Sequence, residues 1–365
     1  MSFDTVKGKL GFGCMRLKMV DDKVDLEEFS RMIDAFIGAG FNYFDTAHGY
    51  IDGKSELAIK ECLVSRYKRE DYILADKISP WLFEKEEDIV PLFEKQLKQC
   101  GVEYFDFYLF HCVMKGLYEK LCENNCFEII KGLKEQGKIK HIAMSFHDTA
   151  ELLDTILTEQ PFIEAVQLQF NYLDYDDPNV QSKACYDVAV KHGKKVIVME
   201  PVRGGALVNL PKDAQKLFDD LNGGSYASYA LRFAASFPEV CMVLSGMGSM
   251  DMMNDNINTF ENFVPLNKEE LKVTHRAREI IREARLLPCT ACNYCSSVCP
   301  KQIPISEIFS VYNKYLGAKI TKQEAKETFP KDKPTAADCI KCGKCETVCP
   351  QSIKIREELE KVSKL

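Results

Sequence analysis

Eight short apolar runs punctuate the first 265 residues: LGFGCM, FNYFDTA, YILADKIS, FDFYLFH, HIAMSF, AVQLQF, KVIVMEP and VCMVLSG. Most are rich in β-branched or aromatic side chains, the composition of a strand buried on both faces. Between them lie stretches with helical spacing and glycine near their ends, such as DLEEFSRMIDAFIGAG and EEDIVPLFEKQLKQCG. Eight strands alternating with helices over about 250 residues is the count of an α/β fold of the (β/α)8 TIM-barrel type. A doubly wound sheet is the rival, but it usually has fewer strands and a glycine-rich phosphate fingerprint. No G-x-G-x-x-G opens a helix here. LNKEELKVTHRAREIIREARLLP then reads as one charged amphipathic helix that joins two parts without a Gly/Ser linker. The expected organisation is a barrel over 1–265, a connecting helix over 266–287 and a separate domain over 288–365.

That last domain sets one pattern twice. CTACNYCSSVCP (Cys289 to Pro300) and CIKCGKCETVCP (Cys339 to Pro350) both read C-x2-C-x2-C-x3-C-P. In bacterial ferredoxins three close thiolates of this spacing hold one cubane, and the fourth cysteine serves the other cluster. By that rule Cys289, Cys292, Cys295 and Cys349 hold one [4Fe–4S] cluster, and Cys339, Cys342, Cys345 and Cys299 the second. Paired zinc knuckles are the alternative, but they seldom need the third and fourth cysteines followed by proline. The tail thus resembles a small, mainly helical two-cluster ferredoxin-like domain. The other eight cysteines lack ligand spacing and read mostly as small buried hydrophobes.

Charge separates the same two parts. Residues 288–365 carry 13 Lys+Arg against 9 Asp+Glu, while the rest carries 35 against 46. An acidic body argues against nucleic acid as the main partner. Lysines in the tail would offset the negative charge of thiolate-ligated clusters or guide an acidic carrier such as ferredoxin or flavodoxin. No run of eighteen apolar residues occurs, and MSFDTVKGKL carries no apolar signal region, so no membrane association and a cytoplasmic location are expected. Oligomeric state is not legible.

In a barrel, chemistry belongs at the C-terminal ends of the strands. Asp45 closes the second run, with Tyr50 five residues on; Lys77 closes the third and His111 the fourth. Singly, these read as a cap, a solvated end and a core histidine; at successive strand ends they read as one site. With GFGCMRL, FDTAHGY followed by GKSE, ADKI, FH and VQLQFNY, residues 1–262 resemble the aldo-keto reductases, TIM-barrel oxidoreductases, and the cysteine tail resembles their iron–sulfur branch. The resemblance implies that Asp45, Tyr50, Lys77 and His111 form the family's catalytic tetrad and that a small carbonyl or alcohol substrate exchanges a hydride with NAD(H) or NADP(H). Hydride addition leaves an alkoxide that must be protonated as it forms. A tyrosine with a free pKa of about 10 is a weak acid for that task. An adjacent Lys77 ammonium would stabilise its phenolate, Asp45 would hold Lys77, and His111 would orient the substrate oxygen.

The resemblance also implies cofactor contacts, with departures. Gly13 and Cys14 of the opening motif join this set, and Ser145 and Gln167 match the residues that hold the nicotinamide carboxamide. Phe146, followed by His147, replaces the usual Asn. Met199 stands where an aromatic ring often stacks on the nicotinamide. Asp255 and Asn256 match the adenine-contacting acid and amide, whereas Gly246 and Met252 replace the bases that grip a 2′-phosphate, which favours NADH. Trp81, the 112–121 segment, His48 and His147 are expected to shape the pocket. Nicotinamides pass two electrons and cubanes one, so either the clusters are structural, or a flavin such as FMN, for which the sequence shows no signature, converts between the two, or the substrate accepts single electrons. The alternative function is an electron-transfer module whose barrel binds nucleotide while its tail exchanges electrons with a ferredoxin-type carrier.

Overall fold

A computed structural model describes residues 3, 5–284, 286–317 and 319–365. The eight apolar runs form β1 (Leu10–Gly13), β2 (Tyr43–Asp45), β3 (Ile73–Ile78), β4 (Phe105–Val113), β5 (Ile139–Phe146), β6 (Ala165–Gln169), β7 (Lys195–Met199) and β8 (Val240–Ser245). They pair in parallel, in chain order, and β8 closes on β1. β2 to β4 are buried throughout, as strands covered by side chains inside and helices outside must be. Tyr43, Ala75, Phe107, Leu109, Ala143, Ala165, Ile197 and Met242 fill the interior. Two of the barrel helices start on side-chain caps: Asp25 accepts from the Glu28 amide before Leu26–Gly38, and Ser249 from the Met252 amide before Met250–Glu261.

Two compact units emerge. The first spans 1–201 and 227–267 and contains the barrel; the second spans 202–226 and 268–365. The second unit therefore includes a segment that the sequence boundaries assign to the barrel. The cause lies in its packing. A Cβ on Gly204 (φ 60°) would stand 2.6 Å from the Thr290 carbonyl oxygen, so only glycine allows that approach. Lys319 Nζ also donates to the Asn209 carbonyl. Helix Lys212–Asp219 packs on helix Lys268–Glu283, the central part of the expected connecting helix. The core of this unit joins Ile303, Ile308, Phe309, Tyr312, Ile355 and Leu359, from helices Ile305–Leu316 and Ile355–Ser363 and the turns before them, with Cys295, Cys345 and Cys349. Among the described residues no helix is long and apolar enough to cross a membrane.

Candidate functional site

The four strand-end residues converge. Asp45 ends β2, Lys77 lies in β3 and His111 in β4, and the turn Tyr50–Gly53 carries the tyrosine. Lys77 Nζ lies 2.6 Å from Asp45 Oδ1 and donates to the Thr46 carbonyl at 2.7 Å. It also sits 4.7 Å from the centre of the Tyr50 ring. The Tyr50 ring meets His111 edge-on at 5.9 Å, and Trp81 covers His111 from 5.0 Å. All four tetrad side chains are buried, Lys77 to 1% exposure and Tyr50 to 7%.

Local backbone distortion sets these positions. Cys112 takes a left-handed conformation (φ 54°), the β4–β5 register shifts between Phe110 and Val113, and the Cys112 amide donates to Ser145 Oγ at 2.7 Å. Ile51 (φ 52°), a β-branched residue in the left-handed region, and Asp52 (φ 53°) bend the chain directly after Tyr50. Such outliers cluster at sites whose surroundings over-determine them.

Electrostatics follow from burial. Desolvation pulls Lys77 down, but Asp45 and Tyr50 more than offset it and hold the ammonium above its ordinary range. Burial, with the Lys77 charge second, keeps His111 well below the usual imidazole range and therefore neutral. Ser79 Oγ meets His111 Nδ1 at 2.7 Å. His147 is held down by burial at about 4.

Of the residues expected to contact a cofactor, Ser145 and Gln167 are direct neighbours in the β5–β6 register. Gln167 Oε1 is buried without a hydrogen-bond partner, as is Asp45 Oδ2. An orphaned amide oxygen beside a serine fits a ligand that brings its own N–H donor, as a carboxamide does. Met199 pairs with Gln169 at the end of β7. Gly13 and Cys14 lie at the end of β1; the Cys14 side chain is fully buried and its carbonyl accepts from Ser55 Oγ, so it is closed to a ligand on that side. Asn256 is buried and donates to Ser245 Oγ at 2.6 Å, which engages its amide inside the protein, whereas Asp255 is half-buried. Met252 is exposed, and the Arg16 side chain lies against Gly246, 3.2 Å from where a Cβ would stand. Arg16 pairs with Glu200 at 3.4 Å, and Glu28 Oε1 takes the Met250 amide at the following helix start.

In the second unit the doubled motif folds twice the same way. Ala291 and Lys341, Asn293 and Gly343, and Gln302 and Ser352 all have positive φ at matching positions. One cavity is lined by Cys289, Cys292, Cys295 and Cys349, the other by Cys299, Cys339, Cys342 and Cys345. Each therefore gathers three thiols from one motif and the fourth from the other, the crosswise grouping read from the spacing.

Residues 9–279 match the model of the aldo/keto reductase family. The chain belongs to that family. Residues 288–353 match the model of the 4Fe-4S dicluster domain. Among relatives, an uncharacterized oxidoreductase of Bacillus subtilis, YqkF, is 22% identical over 312 residues, 76% of this chain and 95% of its own length. An aldo-keto reductase from Bacillus halodurans in its holo form superposes with a TM-score of 0.61 at 24% identity, covering 74% of this chain and 91% of that one. An aldo-keto reductase from Klebsiella pneumoniae in complex with NADPH gives 0.60 at 20%, covering 73% and 90%. These superpositions establish the shared fold.

In this aldo/keto reductase several further residues that no sequence motif marks adjoin the tetrad. Ser79 touches the histidine, Thr46 receives the lysine through its main chain, and Glu56 and Asp76 lie buried behind the tetrad. Asp76 carried a signal: next to Lys77 in a strand, it must face the opposite side, where a carboxylate needs a partner.

Proposed function

We propose that this aldo/keto reductase transfers a hydride between NAD(P)H and a small carbonyl or alcohol substrate, with Tyr50 as acid and base. The observation that carries this reading is Lys77, whose buried ammonium is held by Asp45 and the Thr46 carbonyl against the Tyr50 ring. The orphaned Gln167 oxygen, Ser145, Met199 and the Gly13 end of β1 would hold the nicotinamide, and the Asp255 region its nucleotide half. The chemistry a reduced nicotinamide supplies when bound is a hydride. The chain supplies the proton: Tyr50 gives its hydroxyl hydrogen to the nascent alkoxide, and the adjacent ammonium stabilises the phenolate left behind. Neutral His111 meets Ser79 Oγ at Nδ1; in the tautomer in which the serine donates, Nε2 carries the N–H that would orient the substrate oxygen. Trp81 packs on that ring.

The relative solved with NADPH supports a nicotinamide in this fold, and the local charges favour NADH in this chain. Glu28 stands at the helix start, and Glu200 neutralises Arg16 near Gly246. Each base there, Arg31 beside Glu28 and Arg16 beside Glu200, is already paired with an acid and is not free for a 2′-phosphate. The two four-thiol cavities support two [4Fe–4S] clusters, and the excess of bases over acids in 288–365 supports an acidic one-electron carrier such as ferredoxin or flavodoxin as partner. The test is anaerobic reduction of a carbonyl panel with no external carrier. NADH should support turnover at least as well as NADPH; no turnover with either would overturn the reading and favour the electron-transfer alternative.

A further inference from the structure

Behind the tetrad lies a set of ionisable groups that this reaction leaves unused. Glu56, on helix Lys54–Ile59, and Asp76, on β3, are both fully buried. A carboxylate oxygen of each and the Cys100 sulfur lie within 4.8 Å of one another. Asp76 Oδ1 accepts from the Lys77 amide at 2.7 Å and from Gln96 Nε2 at 3.0 Å. Gln96 Nε2 also donates to the Lys77 carbonyl at 2.9 Å, and its own oxygen takes the Tyr108 hydroxyl at 2.6 Å. On the other side, Glu56 Oε2 meets His48 Nδ1 at 2.7 Å. Glu56 Oε1 is buried with no partner in good hydrogen-bond geometry, and the groups that face this carboxyl are the Asp76 carboxyl and the Gln96 amide.

Two carboxylates in contact in a dry site cannot both stay ionised. We propose that Glu56 and Asp76 share a proton, and that this bridge is a positioning element for Lys77. Strand geometry gives it that role. Lys77 points toward Asp45, so its neighbour Asp76 points the other way, and Asp76 with Gln96 grips both main-chain groups of Lys77. Glu56 and His48 belong to the segment that carries Asp45 and Tyr50. The bridge therefore fastens the tyrosine-bearing loop to the lysine-bearing strand from behind.

The proton's hold is consistent with the surroundings. Burial, then the Glu56 charge, pushes Asp76 well above the usual carboxylate range, and burial pushes Glu56 up to about 7. The titratable and charged groups facing the pair are His48, Lys77, Lys95, Cys100 and Tyr108. His48 is held toward neutrality by burial, so it does not supply the missing counter-charge. Both carboxyls are raised, so the bridge is present at low and neutral pH. It is lost as pH rises through the pair's last titration, when two buried anions face each other and the clamp opens.

The turnover arm of the test rests on the proposed reaction; the spectroscopic arm does not. Infrared spectra of the full chain should show a protonated carboxyl band at neutral pH that disappears in Glu56→Gln. That amide can donate to Asp76 and accept from His48, mimicking the protonated state permanently. Its turnover should stay within about fivefold of the parent, the scale of one hydrogen bond, and its alkaline decline should move up to the pH at which Tyr50 itself deprotonates. Glu56→Leu, which cannot bridge, should lose about 10–100-fold, as outer-shell positioning residues do. An unchanged carboxyl band in Glu56→Gln would overturn the proposal, as would an alkaline decline identical to the parent's. So would one divalent metal per chain, beyond cluster iron, that Glu56→Gln removes. The band reads the bridge even if Glu56→Leu fails to fold or no carbonyl is turned over.

Discussion

Replacing Lys77 with methionine keeps the volume of the side chain and deletes its charge. The ammonium and Asp45 are buried to 1% and 3% exposure, with nitrogen and oxygen 2.6 Å apart. Asp45 Oδ2 already has no hydrogen-bond partner, so the variant leaves a buried carboxylate with neither oxygen paired, and the Thr46 carbonyl loses its donor. Removing one member of a buried pair costs about 3–5 kcal/mol. At about 2–4 °C per kcal/mol for a domain of this size, the barrel should melt about 6–20 °C lower. The penalty has a pH sign. Burial raises Asp45 despite the pull of Lys77, and without Lys77 the carboxyl rises further. A carboxyl raised above its unfolded value of about 3.9 folds best when protonated, so the loss should be smaller at pH 5 than at pH 8. Asp45→Asn added to Lys77→Met removes the stranded charge and should recover much of the melting temperature. It should not recover turnover, because the tyrosine still lacks its ammonium. Anaerobic melts followed by circular dichroism, run beside turnover assays, separate the two effects. A Lys77→Met protein melting within about 2 °C of the parent at pH 8 would refute the reasoning, and so would a double variant no more stable than the single one.

Two further outcomes concern the second unit. The parent should carry about eight irons, and pairing Cys299→Ala with Cys339→Ala should leave about four, since both changes strike one cluster. Pairing Cys299→Ala with Cys292→Ala should damage both clusters, and retention of about four irons there would break the crosswise assignment. Gly204→Ala forces a Cβ onto the Thr290 carbonyl at a left-handed position, a conformation that alone costs about 1–2 kcal/mol. Cluster absorbance should bleach at lower temperature than in the parent, while an unchanged bleaching curve would mean the segment does not hold the unit together.

The barrel was legible because each of its strands is an apolar run too short for a helix and separated by helical periodicity, so the order β1 to β8 follows from counting. The cysteine grouping was legible for the same kind of reason: a doubled spacing is a local signal. What escaped was non-local. Nothing in the composition of 202–226 announces that Gly204 packs on Thr290, a contact 86 positions away that depends on a missing side chain. The absence of a base at Gly246 was visible, but the Arg16 side chain beside it comes from the other end of the barrel segment. Glu56 and Asp76 were hidden by their neighbours: GKSE and ADK drew the reading to the tetrad, whereas strand alternation places Asp76 against the helix layer.

The central claim is that Tyr50 moves the proton. Tyr50→Phe removes one hydroxyl and leaves the ring beside Lys77 and His111. The decisive measurement is its anaerobic turnover of a carbonyl that the parent reduces, with nicotinamide affinity measured on the same preparation. General acid–base catalysis contributes about 10²–10⁴-fold, so turnover should fall by that much while affinity and melting temperature hold. Near-full turnover would contradict the account, leaving the tetrad inherited rather than used.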